Sequence, residues 1–227
     1  MLKIILNRLK PQAERIIAEE QAGFRAGRST TEQIFFLRIL CEKYLQHQQD
    51  LDHVFIDLKK AFDRVLHAAL WATMKKYNIS TNRIRVIQNL YNKTTNAVLF
   101  NSSIGDWFRT TVGVQQGCLL SPTLFNIFLE RIMTDALEDH EGTVSIGART
   151  ITNLRFADDI DGLAGEEEEL VNLVERLEKK PPQPMAWRSV PRRPSFGLFR
   201  SALSPTQQKT TLATIGRLYR YKSLYFD

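Results

Sequence analysis

Three aspartates are the residues whose type and spacing are best suited to chemistry. Asp57 closes a short apolar run, and Asp158 and Asp159 stand together between two further apolar runs about a hundred positions downstream. If these segments are neighbouring strands, Asp57 and Asp158 face each other at one sheet edge, where two carboxylates repel unless a cation lies between them. Oxygen-only ligands suit Mg²⁺, which completes its shell with water and substrate phosphates. The pattern therefore predicts metal-assisted phosphoryl chemistry on nucleotides.

The elements that must position these aspartates predict an α+β fold, in which an antiparallel sheet packs against helices. Apolar runs predict strands at about 51–58, 143–156 and 160–164, with the Asp-Asp turn inside the last hairpin. A further strand pair is expected at 96–101 and 107–112, around a turn at 102–105. Helical periodicity and capping residues predict helices at about 2–17, 30–47, 67–77, 81–92, 121–138 and 167–179.

Composition limits the class of protein. A chain of 227 residues with 43% hydrophobic content can bury one good core and a small second lobe. No run of 18 apolar residues is present, so we expect no membrane span. Cys41 and Cys118 are far apart and form no metal-type cluster, which predicts reduced, buried thiols in an intracellular protein. Asp63 and Asp161 are interpreted as surface or local salt-bridge residues, and oligomeric state cannot be deduced.

Positive charge is concentrated at the C-terminal end. The chain carries a net charge of +6, yet residues 179–227 hold ten Lys or Arg and a single acid. Residues 1–178 are therefore slightly acidic. Pro181-Pro182-Gln183-Pro184 breaks any helix, and the Arg-, Ser- and Pro-rich segment that follows predicts little fixed structure. Such a tail can bind nucleic acid through its phosphates.

Four motifs in order resemble those of a polymerase family. Residues 21–31, QAGFRAGRSTT, resemble a fingers motif, and residues 54–63, VFIDLKKAFD, resemble motif A of the palm. Residues 113–122, GVQQGCLLSP, resemble motif B, and residues 156–159, FADD, resemble motif C. Together they resemble the reverse transcriptase of LINE-type retrotransposons, which lack long terminal repeats, over roughly residues 1–178. The resemblance implies a polymerase palm with partial fingers, and an RNA template, a DNA primer and dNTPs as partners.

The resemblance also implies a metal site. Asp57, Asp158 and Asp159, with the backbone carbonyl of Leu58, would hold two Mg²⁺ ions. These ions would serve nucleotidyl transfer to the primer 3′-hydroxyl.

Other residues would meet the nucleotide. Phe62 would be the steric gate against a ribose 2′-hydroxyl, and Gln116 and Gly117 would lie along the nascent base pair. Arg25 or Arg28 would bind the triphosphate, because a guanidinium fork matches phosphate geometry. Taken alone, the same residues are also compatible with a core phenylalanine, a turn-capping glutamine and surface cations.

The expected organisation is partial fingers at 1–50, palm at 51–179 and a divergent basic tail at 180–227, with no thumb. The leading hypothesis is thus a truncated RNA-directed DNA polymerase domain. One alternative is an inactive retroelement remnant that at most binds nucleic acid through its basic tail. Another is an RNA-copying RNA polymerase, against which Phe62 argues.

Overall fold

The computed structural model describes residues 1–58, 60–179 and 197–200. The predicted lack of fixed structure in 180–227 therefore falls outside the described residues, except at one strand. In the described residues the helices are α1 (Leu2–Ile16), α2 (Thr30–Gln46), α3 (His67–Lys76), α4 (Thr81–Asn92), α5 (Ser121–Leu137) and α6 (Glu167–Lys179). The strands are β1 (Asp52–Asp57), β2 (Leu99–Phe100), β3 (Ser103–Ile104), β4 (Ser145–Ile146), β5 (Arg149–Thr150), β6 (Asn153–Phe156), β7 (Asp159–Ala164) and β8 (Gly197–Arg200).

The main sheet has the strand order β6-β7-β1-β8, and each neighbouring pair is antiparallel. The α+β prediction is confirmed, since an antiparallel sheet packs against helices. Strands β7 and β1 are central, so both aspartate segments lie inside the sheet. The fourth strand, β8, comes from the tail and pairs with β1.

The chain divides into two compact bodies. The first body comprises residues 1–17 and 60–132. The described part of the second body comprises residues 18–58, 133–179 and 197–200. Helix α5 begins in the first body and ends in the second, whereas the main sheet lies in the second.

The second body has an apolar core between α2 and the sheet. Its buried members are Leu37, Leu40, Tyr44, Leu51, Val144, Ile151, Leu154 and Leu163. Helix α6 packs against β1 and β7. It comes so close at Gly162 that an added Cβ would lie 2.8 Å from Val54 Cγ1 and 3.0 Å from Leu173 Cδ2. Because side chains alternate across a strand, positions 54 and 162 share the α6 face, and Asp57 and Asp159 lie on the opposite face.

The first body packs α3 against α4. The side chains that it buries most completely include Leu9, Leu70, Met74, Ile84, Ile87, Leu120 and Phe125.

One predicted hairpin is wrong in register. Its turn is not at 102–105 but at Asn101 and Ser102, which have φ of 47° and 62°. Positive φ at both central residues is typical of the tight type I′ turn that suits a two-residue hairpin. The strands are correspondingly short, and segment 107–112 contributes only isolated bridges, at Phe108 and Val112.

The cysteine prediction is partly wrong. Cys41 and Cys118 are free thiols, but both are half-buried. Cys41 packs at the margin of the second body's core, which explains its partial exposure. Among the described residues no helix combines the length and apolar character needed to cross a bilayer.

Candidate active site

Two of the three aspartates stand directly opposite each other in the second body. Asp57 is the last residue of β1 and pairs in register with Asp159, the first residue of β7. Opposed like charges on neighbouring strands destabilise a sheet unless something compensates them. Asp57 is exposed and Asp159 is half-buried, so the pair is open to solvent on one side. Leu58 directly follows the last residue of β1 and is half-buried.

The third aspartate lies in the tight turn that joins β6 to β7. Phe156 pairs with Asp159, which leaves Ala157 and Asp158 as the two turn residues. Ala157 has φ of 59°, in the left-handed region where a side chain is strained. A two-residue turn places Asp158 immediately beside the opposed pair. All three aspartates therefore gather at one end of β1 and β7.

This donor set fits a hard divalent cation. In residues 1–58 and 60–179 no three acidic, histidine or cysteine side chains are already assembled as a metal site. The aspartates thus offer a partial, all-oxygen set, which is the arrangement that suits Mg²⁺, because water and substrate phosphates supply its remaining ligands.

The loop before α2 brings cations to the second body. Arg25 Nη1 donates to the carbonyls of Ala18, at 2.7 Å, and Gln21, at 3.1 Å. The pKa of Glu19 is lowered by its hydrogen bond to Arg149 and by the positive charge of Arg149. The charges of Arg28 and Arg25 lower it further.

A buried His–Asp pair lies deeper on the face that carries Asp57. His53 Nδ1 is 3.4 Å from Asp161 Oδ1, and both side chains are almost completely buried. Burial opposes a charge on His53, but the Asp161 carboxylate and its hydrogen bond outweigh this and raise the pKa of His53 to about 10. The surface assignment of Asp161 is therefore wrong, because strand alternation turns position 161 inward with 53. The local ion-pair part of the interpretation is consistent with its contact to His53.

The remaining predicted residues lie in the first body. Phe62 stacks on Phe125 with ring centroids 4.2 Å apart and an interplanar angle of 16°. The amide of Val114 donates to the carbonyl of Phe62 at 2.9 Å. Gln116 Nε2 donates to Asp63 Oδ1 at 3.2 Å. The segments around motif A's end and motif B's start are thus hydrogen-bonded to each other.

Gly117 occupies a backbone conformation that requires glycine. Its φ is 79°, and an added Cβ would meet no atom of the chain within 4 Å. Gln116 and Gly117 are both exposed. A substitution would therefore be strained by the backbone, while the space beside this glycine is open to a ligand.

The structure also reveals roles for two residues that the sequence analysis leaves without one. Gln21 and Gly23 belong to the fingers motif, yet both are buried against Ala157 in the aspartate turn. Because both residues belong to the fingers motif, the motif was the one signal in the sequence that could have marked them as functional. The partner, 136 positions away, could not be read from local sequence.

Comparison with known proteins shows which family this chain resembles. Residues 1–181 match the model of the family described as reverse transcriptase (RNA-dependent DNA polymerase). A Pol polyprotein from a type-1 retrotransposable element R2 of Nasonia vitripennis is 27% identical over 176 residues, which is 78% of this chain and 17% of that protein. The RNA-directed DNA polymerase from the mobile element jockey of Drosophila funebris is 27% identical over 160 residues, covering 70% of this chain and 17% of the relative. The chain thus spans less than a fifth of the length of these relatives.

A solved structure shares the fold. An apo telomerase from Candida tropicalis, truncated from its C-terminal domain, aligns with a TM-score of 0.58 at 17% identity. The alignment covers 90% of this chain and 40% of that one. At this identity the likeness bears on architecture alone.

Proposed function

This chain belongs to the reverse transcriptase family, and we propose that it carries the nucleotidyl-transfer site of an RNA-directed DNA polymerase from a retrotransposon without long terminal repeats. One observation carries the proposal. Asp57 and Asp159 are opposed in register at one end of the central strands, with Asp158 in the adjoining turn. In this proposal residues 1–50 are partial fingers and residues 51–179 the palm.

The cofactor in this proposal is a pair of Mg²⁺ ions. Asp57, Asp158 and Asp159, with the carbonyl of Leu58, would hold them. When bound, the ions favour deprotonation of the primer 3′-hydroxyl and balance charge on the triphosphate and the leaving pyrophosphate. The opposed carboxylates support this assignment, because their repulsion falls when cations bind.

Of the two arginines, Arg28 is the one to which we assign binding of the triphosphate. Arg25 already donates to two carbonyls of its own loop, which gives it a part in holding that loop. Arg28 is half-buried three residues further on and contributes positive potential there. A guanidinium fork at this place would neutralise and orient the phosphates.

In the same proposal, three further residues would contact the sugar and base of the nucleotide. Phe62 would pack against the nucleotide sugar, its ring held by the stack on Phe125. Gln116 and Gly117 would lie along the base pair, with the open side of Gly117 permitting close approach.

The direct test is extension of a labelled DNA primer annealed to an RNA template, with the four dNTPs and Mg²⁺. Extension that stops when the divalent cation is chelated supports the proposal. No extension of any RNA-templated primer by protein whose folding has been verified would contradict it.

Replacing Phe62 by Val should relax sugar selectivity. A smaller side chain leaves room for the 2′-hydroxyl, so the ratio of kcat/KM for dNTP to that for rNTP should fall about ten- to a hundredfold. Single-nucleotide incorporation measures both values. The matched control is Phe125→Leu, which removes the stack but keeps the ring at position 62, and its ratio should change much less. Equal shifts in both variants would make Phe62 a packing residue, and would reopen the RNA polymerase alternative.

The basic tail supports a second candidate function, nucleic-acid binding without catalysis. Ten Lys or Arg and one acid occupy residues 179–227. Deleting the whole tail would also remove β8, the partner of β1. Exchanging only Arg188, Arg192 and Arg193 for Gln removes positive charge without removing a strand of the sheet.

The triple exchange should weaken the salt dependence of RNA binding. If all three residues contact phosphates of a single strand, the slope of log K against log salt should fall by about 2 in magnitude. Fluorescence anisotropy at several salt concentrations measures it. The matched control exchanges Lys75, Lys76 and Arg85, three exposed cations of α3 and α4. An unchanged slope in the tail variant would reject the tail as an electrostatic footprint.

A further inference from the structure

We propose that Gln21 is a positioning residue that holds the catalytic aspartate turn in its working conformation. The inference rests on the proposed function, because it assigns a role to Asp158 and Asp159 in catalysis. It concerns a residue that touches the turn's backbone and not the reacting groups. The residue belongs to the loop before α2, in the same body as the turn.

A single side chain satisfies both backbone polar groups of Ala157. Gln21 Nε2 donates to the carbonyl of Ala157 at 3.0 Å, and the amide of Ala157 donates to Gln21 Oε1 at 2.8 Å. The same oxygen accepts from the amide of Gly23 at 2.8 Å. Gln21 is only 1% exposed, so water does not compete for these bonds. Buried hydrogen bonds of this kind are costly to leave unmade.

The turn needs such support. Ala157 lies at φ of 59°, in a region that costs a residue with a side chain roughly 1–2 kcal/mol. Two-residue turns with positive φ at the first central position normally carry glycine there. Strained conformations persist where the surroundings over-determine them. The amide of Gln21, bonded on both sides of Ala157, is such a constraint.

Neighbouring contacts fix Gln21 against the turn. The amide of Arg155 donates to the carbonyl of Glu20, and the amide of Ala22 donates to the carbonyl of Arg155, each at 2.9 Å. The loop thus runs beside β6 as a short parallel bridge. Gly23 packs so closely that an added Cβ would lie 2.8 Å from Ala157 Cα and closer still to its amide nitrogen. Loop and turn form one interlocked unit.

This unit sets where the aspartates point. Ala157 directly precedes Asp158, so rotation of its peptide groups would displace the carboxylate of Asp158 in the turn and that of Asp159 at the start of β7. Displacements of about 1 Å at a catalytic group cost about a hundredfold in rate. Gln21 would therefore influence catalysis through geometry alone.

The test compares Gln21→Met with Gln33→Met in the full chain. Methionine is close to glutamine in size but can make none of the three bonds. Gln33 is a matched control, because it is also buried, at 3% exposed, and lies in the same body. Three readouts apply: hydrogen exchange of the Ala157 amide, Mn²⁺ affinity by electron paramagnetic resonance, and kcat separately from KM in primer extension.

In Gln21→Met we expect Ala157 exchange at least about tenfold faster, since one buried hydrogen bond is lost. Mn²⁺ should bind about tenfold more weakly, and kcat should fall about a hundredfold with little change in primer–template KM. Gln33→Met should match the wild type in all three. If Gln21→Met does not fold, Gln21→Glu replaces it and should retain slow exchange, because its carboxylate still accepts from the Ala157 amide.

Unchanged exchange in Gln21→Met, or effects on exchange, Mn²⁺ affinity and kcat no larger than in Gln33→Met, would overturn the positioning role. An inactive wild type would overturn the proposed function instead. Exchange and Mn²⁺ affinity would then decide the positioning role by themselves, because neither depends on turnover.

Discussion

Asp57→Asn should reduce primer extension by about a thousandfold or more while leaving the protein folded. The change removes one charge from the opposed pair formed with Asp159 and keeps the size of the side chain. Metal-ion stabilisation of the transition state contributes several kcal/mol, and each 1.4 kcal/mol corresponds to about tenfold in rate. Asp158→Asn should give a loss of similar size. Single-turnover extension on an RNA template, over a range of Mg²⁺ concentrations, measures the effect.

The stability of the variant should change little. Asparagine keeps the size of the side chain at an exposed position, so Asp57→Asn should stay within about 0.5 kcal/mol of the wild type without metal. Functional and structural damage can therefore be distinguished by urea unfolding of the same samples. A loss of activity that accompanied a loss of stability would count against a metal role.

Asp139→Asn provides the matched control for this experiment. Asp139 is exposed, lies in the second body and has φ of 59°, a conformation that Asn tolerates as well as Asp. The same chemical change is thus made at an exposed aspartate outside the opposed pair, and rate and metal dependence should stay as in the wild type. Asp57→Asn with the activity of this control would contradict the metal mechanism.

Much of the fold could be predicted because its signals are local. Ser29 accepts from the amide of Glu32, and Glu32 accepts from the amide of Ser29, so a capping box formed by residues three positions apart starts α2 at the predicted residue. The predicted helix boundaries agree within about two residues, since caps and apolar periodicity are properties of short windows. The aspartate strands were also found, because each is an apolar run ending in a carboxylate.

Other features depend on contacts that no short window contains. The hairpin turn at Asn101 and Ser102 lacks glycine, whereas Gly105 nearby gave a misleading turn signal. Gln21 meets Ala157 across 136 positions, so no short stretch of sequence indicates that this polar side chain is buried. The burial of Asp161, though not its ion pair with His53, escaped prediction for a related reason. Its burial follows from the register of β7 on β1, and register is a property of the pair of strands.

The buried pair of Asp161 and His53 predicts a second large effect. Asp161→Asn should destabilise the protein by about 3–5 kcal/mol, because it leaves a buried histidine without the charge that stabilises its protonated form. Asp139→Asn again controls for the substitution itself. Urea unfolding at pH 6 measures the difference, and a difference below about 1 kcal/mol would show that the pair contributes little.

The stability difference between wild type and Asp161→Asn should depend on pH, and the pKa of His53 determines in which direction. The pKa of His53 is raised in the folded protein to about 10 from its ordinary value of 6.5. While Asp161 is ionised, protonation of His53 therefore stabilises the fold fully below pH 6.5, and this contribution is lost as the pH rises through 10. Burial raises the pKa of Asp161, so on acidification the ion pair is lost at a higher pH than for an ordinary aspartate. The stability gap between wild type and Asp161→Asn should accordingly be widest near pH 6 and narrow steadily towards pH 10. A gap that stayed constant over this range would mean that His53 is neutral in the folded state.

A double variant separates charge from packing. His53→Gln with Asp161→Asn keeps two polar side chains that can still hydrogen-bond, but removes both ionisable groups. If the single variants are costly because each leaves a buried partner unpaired, the double variant should lose less stability than the sum of the two. The part of the pH dependence that His53 contributes between pH 6 and pH 10 should also disappear. Simple additivity would instead indicate that each side chain matters for its shape. The outcome bears on the active site, because His53 and Asp161 share their strands and their face of the sheet with Asp57 and Asp159. A pair that holds β1 against β7 at this depth also keeps the register on which the opposed carboxylates depend.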